Sequence, residues 1–117
     1  MAVVTFNVPC KIPRKRKDNV KVETKTGRVA YFDIAGQRIK FVLQHGHDAK
    51  PDCLVHYASG FVFGRFNEVK LGEMLRYGHN HRIDDRRAAE LLIARAVAAK
   101  GADFVLNVIA QAPVINA

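Results

Sequence analysis

Two His-x-His units are the residues best suited to chemistry in this chain: His45-Gly46-His47 and His79-Asn80-His81. In an extended segment, residues i and i+2 point to the same side, so both imidazoles of a unit can reach one metal ion. Asp48, Asp52 and Asp84 lie close in sequence and would complete a set of mixed nitrogen and oxygen ligands. The pattern is short, and neither Cys-x-x-Cys nor His-Glu-x-x-His accompanies it. Both units also fall in polar loops, where histidine is at home on the surface. A metal ion held by His45, His47, His79 and His81 therefore ranks behind the other ligand readings.

Histidine titrates near neutral pH, so His56, His79 or His81 beside Asp84 would make an oriented base. Ser59 and Cys53 are candidate nucleophiles by position alone. Ser59 stands in Ala-Ser-Gly-Phe rather than in a Gly-x-Ser-x-Gly elbow, and Ser-Gly is ordinary turn chemistry. Asp84 and Asp85 are adjacent and suit a helix cap better than a pair of facing carboxylates. Gly60 and Gly64 do not form a glycine-rich phosphate cradle that opens a helix. The sequence leans away from an enzyme, and a small metal- or histidine-dependent hydrolase is the third function considered.

Charge is the broader signal. The chain has 117 residues and a formal net charge of +8. Residues 1–28 hold eight Lys or Arg against Asp18 and Glu23, a local charge of +6. Arg14, Lys15, Arg16 and Lys17 are consecutive, and their mutual repulsion predicts a solvated, mobile segment near 13–18. A second group, Arg76, Tyr77, Arg82, Arg86 and Arg87, gathers with His79 and His81 around the start of the firmest helix. Arginine takes phosphate in a bidentate fork, and Tyr or His can stack on a base. Against this, Arg86 has Glu90 at i,i+4 as a local partner. Charge alone also suits an acidic protein surface. Helix-turn-helix spacing, the aromatic RNP pattern, the KH loop and the zinc-finger ligand sets are all absent.

The elements that must position these residues are read from periodicity. Residues 2–8 are β-prone, and Pro9 and Pro13 mark an edge strand or its exit. Residues 19–26 alternate as a half-buried strand, Thr26-Gly27 reads as a turn, and residues 28–34 form the next strand. Ala35-Gly36 is a tight turn into residues 37–43, with Ile39, Phe41 and Leu43 inward and Arg38 and Lys40 outward. Residues 53–66 look like a further hairpin turned at Ser59-Gly60. Residues 67–77 suit a weak helix interrupted by Gly72. Residues 84–100 form the long helix, capped at Asp84 or Asp85 and closed by Gly101. The apolar run 103–110 then reads as a final buried strand.

The expected fold is one α+β domain over residues 1–117. It is a mostly antiparallel sheet with one long helix from the C-terminal half packed on one face, and a final buried strand. A composition of 49% hydrophobic and 26% charged residues is that of a globular domain with a sizeable core. Cys10 and Cys53 read as two buried thiols, and no cofactor is called for. No apolar run is long enough for a bilayer and no leader is evident, so no membrane partner and a cytoplasmic site are expected. The leading function is a small, non-catalytic binding protein that engages nucleic acid, or a nucleic-acid-handling complex, through its basic patches. The alternative is a protein–protein module, an inhibitor or subunit, which could be homo-oligomeric.

Overall fold

In the computed structural model the described residues are 3–10, 21–46 and 50–116. The basic run Arg14–Lys17, the expected mobile segment near 13–18, His47 and Asp48 lie outside them. Five strands precede three helices: β1 Val3–Cys10, β2 Lys21–Ile34, β3 Gln37–His45, β4 Pro51–His56, β5 Val62–Arg65, α1 Phe66–Tyr77, α2 Asp85–Lys100 and α3 Ala102–Gln111. The strands form a meander in which every neighbouring pair is antiparallel, in the order β1-β2-β3-β4-β5.

The β2–β3 hairpin follows from its two-residue turn. Ala35 and Gly36 both have positive φ, 50° and 81°, the twist that a two-residue hairpin requires. That turn sets Ile34 opposite Gln37 and fixes the register back to Gly27 opposite Gln44. Ala30, Phe32, Ile34, Phe41, Leu43 and Leu54 then share one face and are buried there. Phe66 of α1, Ala88, Ala89, Leu92 and Ile93 of α2 and Val105 of α3 close over them. The alanines let α2 lie close to the sheet, and the Asp84 carboxylate caps its start by accepting the Arg87 N–H at 2.8 Å. Such a cap contributes about 1 kcal/mol.

Two sequence expectations are corrected. The final buried strand is instead α3. Its apolar residues do not all point inward: Val105 and Ile109 are buried, Ala102 and Leu106 half-buried, and Phe104 and Asn107 exposed. That inner set has helical spacing. Gly101, with φ 90°, turns the chain directly from α2 into α3. A helix satisfies its own backbone, whereas a strand here would need a ladder partner. The second correction is that Thr26-Gly27 is not a turn. β2 runs through it unbroken and pairs with β1 from Lys21 to Arg28, then with β3 from Gly27 onward.

That stagger curls the sheet. Phe6 of β1 is buried against Val42, Cys53 and Val55 of β3 and β4, on the face away from the helices. The curl is latched by Asn116. Its Oδ1 accepts the Asn7 N–H at 2.7 Å, and its Nδ2 donates to the carbonyls of Asn7 at 2.8 Å and Tyr57 at 2.7 Å. Burial, with a smaller contribution from Asp52, pushes the Cys53 thiol up to about 11, so it stays protonated and unreactive near neutral pH. No helix among the described residues is long and apolar enough to cross a membrane.

Candidate nucleic-acid interface

The sheet face away from the helices carries basic and aromatic side chains in cross-strand register. Tyr31 of β2 stands opposite Lys40 of β3. The Tyr57 N–H donates to the Lys40 carbonyl at 3.2 Å, which carries the β3–β4 pairing one residue past β4. Tyr31, Lys40 and Tyr57 therefore form a row across three strands. Lys40 Nζ lies 3.9 Å from the Tyr57 ring centre, and the Arg38 guanidinium carbon lies 4.5 Å from that of Tyr31. These cation–π contacts fix two positive charges beside two rings. Neighbouring strands are about 4.8 Å apart, so the two rings stand two strand spacings apart with Lys40 between them, and Tyr57 is half-buried against Phe6. Tyr31 is 42% exposed.

An open cleft of about 660 Å³ continues from this row around the edge of β2 to α2. Tyr31, Asp33 and Arg38 line one side and Arg86 and Glu90 the other, over Phe32, Ile34, Ile93 and Val97. Arg86 lies 4.7 Å above the Phe32 ring. Among the described arginines expected from sequence to contact nucleic acid, Arg86 is thus the one brought to the sheet-face residues. The row itself was not anticipated. Its signal was available in part: a two-residue turn at Ala35-Gly36 implies Tyr31 opposite Lys40 and Asp33 opposite Arg38.

The remaining candidates lie at the α1–α2 corner. The Arg76 guanidinium carbon is 5.5 Å from the Tyr77 ring centre, and the Tyr77 and His81 rings are 4.9 Å apart. His81 Nε2 is 3.6 Å from Glu73. Arg87 lies 3.5 Å and Arg86 4.0 Å from Glu90, and Lys70 meets Asp85 at 2.5 Å. Arg82 is exposed in the connecting loop. Glu73, Asp84, Asp85 and Glu90 thus offset much of the positive charge that a reading of Arg76, Arg82, Arg86 and Arg87 alone suggests.

His79 and Asn80 form a turn rather than an extended segment, so the same-side geometry of His-x-His does not hold for His79 and His81. His45 ends β3 opposite Pro51. Among the described residues, no three His, Cys, Asp or Glu side chains gather in a group able to hold a metal ion.

His56 and Ser59 form a close, buried pair, with Nδ1 and Oγ 2.7 Å apart. The Phe61 N–H donates to Ser59 Oγ at 3.2 Å, so the hydroxyl proton is free to go to His56 Nδ1. The Gly60 N–H donates to the His56 carbonyl and the His56 N–H to the Phe61 carbonyl, each at 2.8 Å. The pair thus braces the turn between β4 and β5, and the other face of the imidazole environment is the edge-on Phe41 ring. Asp84 is committed to the α2 cap. Burial holds the His56 pKa below its ordinary 6.5. The unfolded chain therefore takes up a proton at higher pH than the folded one. Stability is full above pH ~6.5 and falls as pH drops from there toward the depressed folded value. Thermal unfolding followed from pH 8 to 5 is expected to show His56→Asn with a shallower loss than the parent. Parallel profiles would remove His56 as the source.

Neither a family model, a curated protein nor a solved structure matches the chain.

Proposed function

We propose that this chain is a small, non-catalytic binding domain that engages single-stranded nucleic acid on the outer face of its sheet. The observation that carries the reading is the row Tyr31–Lys40–Tyr57 with Arg38 stacked beside it. Aromatic rings with adjacent cations bind unpaired bases and their phosphates without strong sequence preference, because every base has a stacking face. Arg86 extends the surface across the cleft. The run Arg14–Lys17, which lies between β1 and β2 in sequence, would add phosphate contacts. Arg76, Tyr77, Arg82 and Arg87 are secondary in this reading, since they lie at the α1–α2 corner, away from the row, where Glu90 is 3.5 Å from Arg87 and Glu73 3.6 Å from His81.

The test is fluorescence anisotropy with labelled oligonucleotides over a salt series. Single strands are expected to bind more tightly than duplex, with affinity falling as salt rises. Tyr31→Ala with Arg38→Ala is expected to weaken binding about tenfold or more, since each stacked base contributes roughly 1–3 kcal/mol. Both side chains are on the surface, so the melting temperature should hold. No binding at low salt would sink the reading. Equal binding of polyglutamate would redirect it to an acidic protein surface, the partner class that the same cations also suit.

A further inference from the structure

α1 turns to solvent a face that the fold leaves uncovered. Apart from Tyr77 at its end, its exposed residues stand in two columns at i,i+4: Asn67, Leu71 and Leu75 in one, and Glu68, Gly72 and Arg76 in the other. Leu71 is 57% and Leu75 79% exposed. Single exposed leucines need no explanation, but two stacked one turn apart beside a glycine make a stripe. Gly72 is also unexplained within one chain. A Cβ there would meet nothing within 4 Å, yet glycine costs a helix roughly 1 kcal/mol relative to alanine.

We propose that this face is the contact between two copies of the chain, with the two α1 helices antiparallel about a two-fold axis at Gly72. Such an axis sets residues equally distant from Gly72 opposite one another. Glu68 and Arg76 flank Gly72 by the same number of residues, so Glu68 of each copy meets Arg76 of the other, twice per dimer. Gly72 faces Gly72 and lets the helix axes approach, while Leu71 and Leu75 of both copies border the contact on one side, in the order Leu75, Leu71, Leu71, Leu75 along the seam. A parallel pair would instead set Glu68 on Glu68 and Arg76 on Arg76, so the charges select the antiparallel arrangement. In one chain Glu68 is 3.4 Å from Arg95, and both side chains are exposed. A surface pair of this kind contributes little and leaves Glu68 available. The contact is small, which places it among reversible associations rather than obligate dimers.

Sedimentation velocity of the whole chain from micromolar to millimolar concentration tests the proposal. The parent is expected to shift from monomer to dimer across that range. Leu75→Asp should remain monomeric throughout with an unchanged melting temperature, because Leu75 is exposed in the single chain. Glu68→Arg and Arg76→Glu should each weaken the dimer about tenfold, the equivalent of 1.4 kcal/mol. The double variant, with the charges exchanged, should recover to within about threefold of the parent. A parent monomeric at millimolar concentration would leave the face to some other partner and overturn the proposal. So would a dimer that survives Leu75→Asp, or a double variant no better than either single one. None of these residues lies on the sheet face, and sedimentation is run without nucleic acid, so it reads the dimer alone even though Arg76 is a secondary residue of the proposed binding surface.

Discussion

Gly27→Ala is expected to lower the unfolding free energy by about 2–4 kcal/mol, and Gly27→Val to abolish folding. Two effects oppose each other at this position. Glycine in a strand is a poor choice, and β-propensity alone would favour valine by about 1 kcal/mol. Sterics decide the sign. A Cβ on Gly27 would lie 2.5 Å from the Leu43 carbonyl oxygen, 2.6 Å from Val42 Cγ1 and 3.0 Å from Gln44 Cα. Two of those three atoms are backbone in the central strand, and Val42 is itself fully buried in the outer cluster. None can move away without breaking the register that seats Phe41 and Leu43. Urea unfolding of the alanine variant is the measurement, and an unchanged midpoint would show that β2 is not held against β3 at Gly27.

Asn116→Ala should cost about 2–4 kcal/mol, although it removes one amide from a loop-like tail. The reason is what it leaves behind. The Asn7 N–H and the Asn7 and Tyr57 carbonyls, all part-buried, lose their partner on this side, and an unsatisfied group costs up to about 1–3 kcal/mol where water is kept out. The adjoining backbone contacts, from the Ile115 and Asn116 N–H groups to the Ala58 carbonyl at 2.7 and 3.1 Å, hold the tail but cannot replace them. Asn116→Asp separates chemistry from shape. It keeps the volume and the acceptor for Asn7 N–H, but turns a negatively charged oxygen toward two carbonyls. At neutral pH it should be at least as destabilising as the alanine variant, and it should recover stability as the carboxyl protonates in acid. An Asn116→Ala protein with the parent's unfolding midpoint would mean that the latch contributes nothing.

The inner layer was legible because its cues are local. Alternation at Ala30, Phe32, Ile34 and at Ile39, Phe41, Leu43 needs only a two-residue turn to become a hairpin. Asp84 and Gly101 mark both ends of α2 by side-chain and backbone chemistry. The misreadings came where a local cue is ambiguous. Thr26-Gly27 has turn composition, yet the alternation of residues 20–24 keeps its phase into 30–34, as a continuous strand requires. Residues 103–110 are apolar on nearly every side, and only the α2 surface beneath decides which of them turn inward. The sheet-face site was missed because its members are scattered at 31, 38, 40 and 57. Runs such as 14–17 attract notice in a sequence, whereas Tyr57 joins Tyr31 only through the β3–β4 register, which no short turn specifies.

The Asn7–Asn116 contact spans 109 positions of sequence. Closing so long a loop costs entropy before any contact repays it, and pairings of this kind form late. During synthesis, β1 leaves the ribosome first but cannot be latched until residue 116 has followed. A nascent chain stalled before that point should hold β1 only by its ladder to β2, so the Asn7 N–H, which that ladder does not bond, should exchange faster than in the finished chain. β1 is thus made early and locked late.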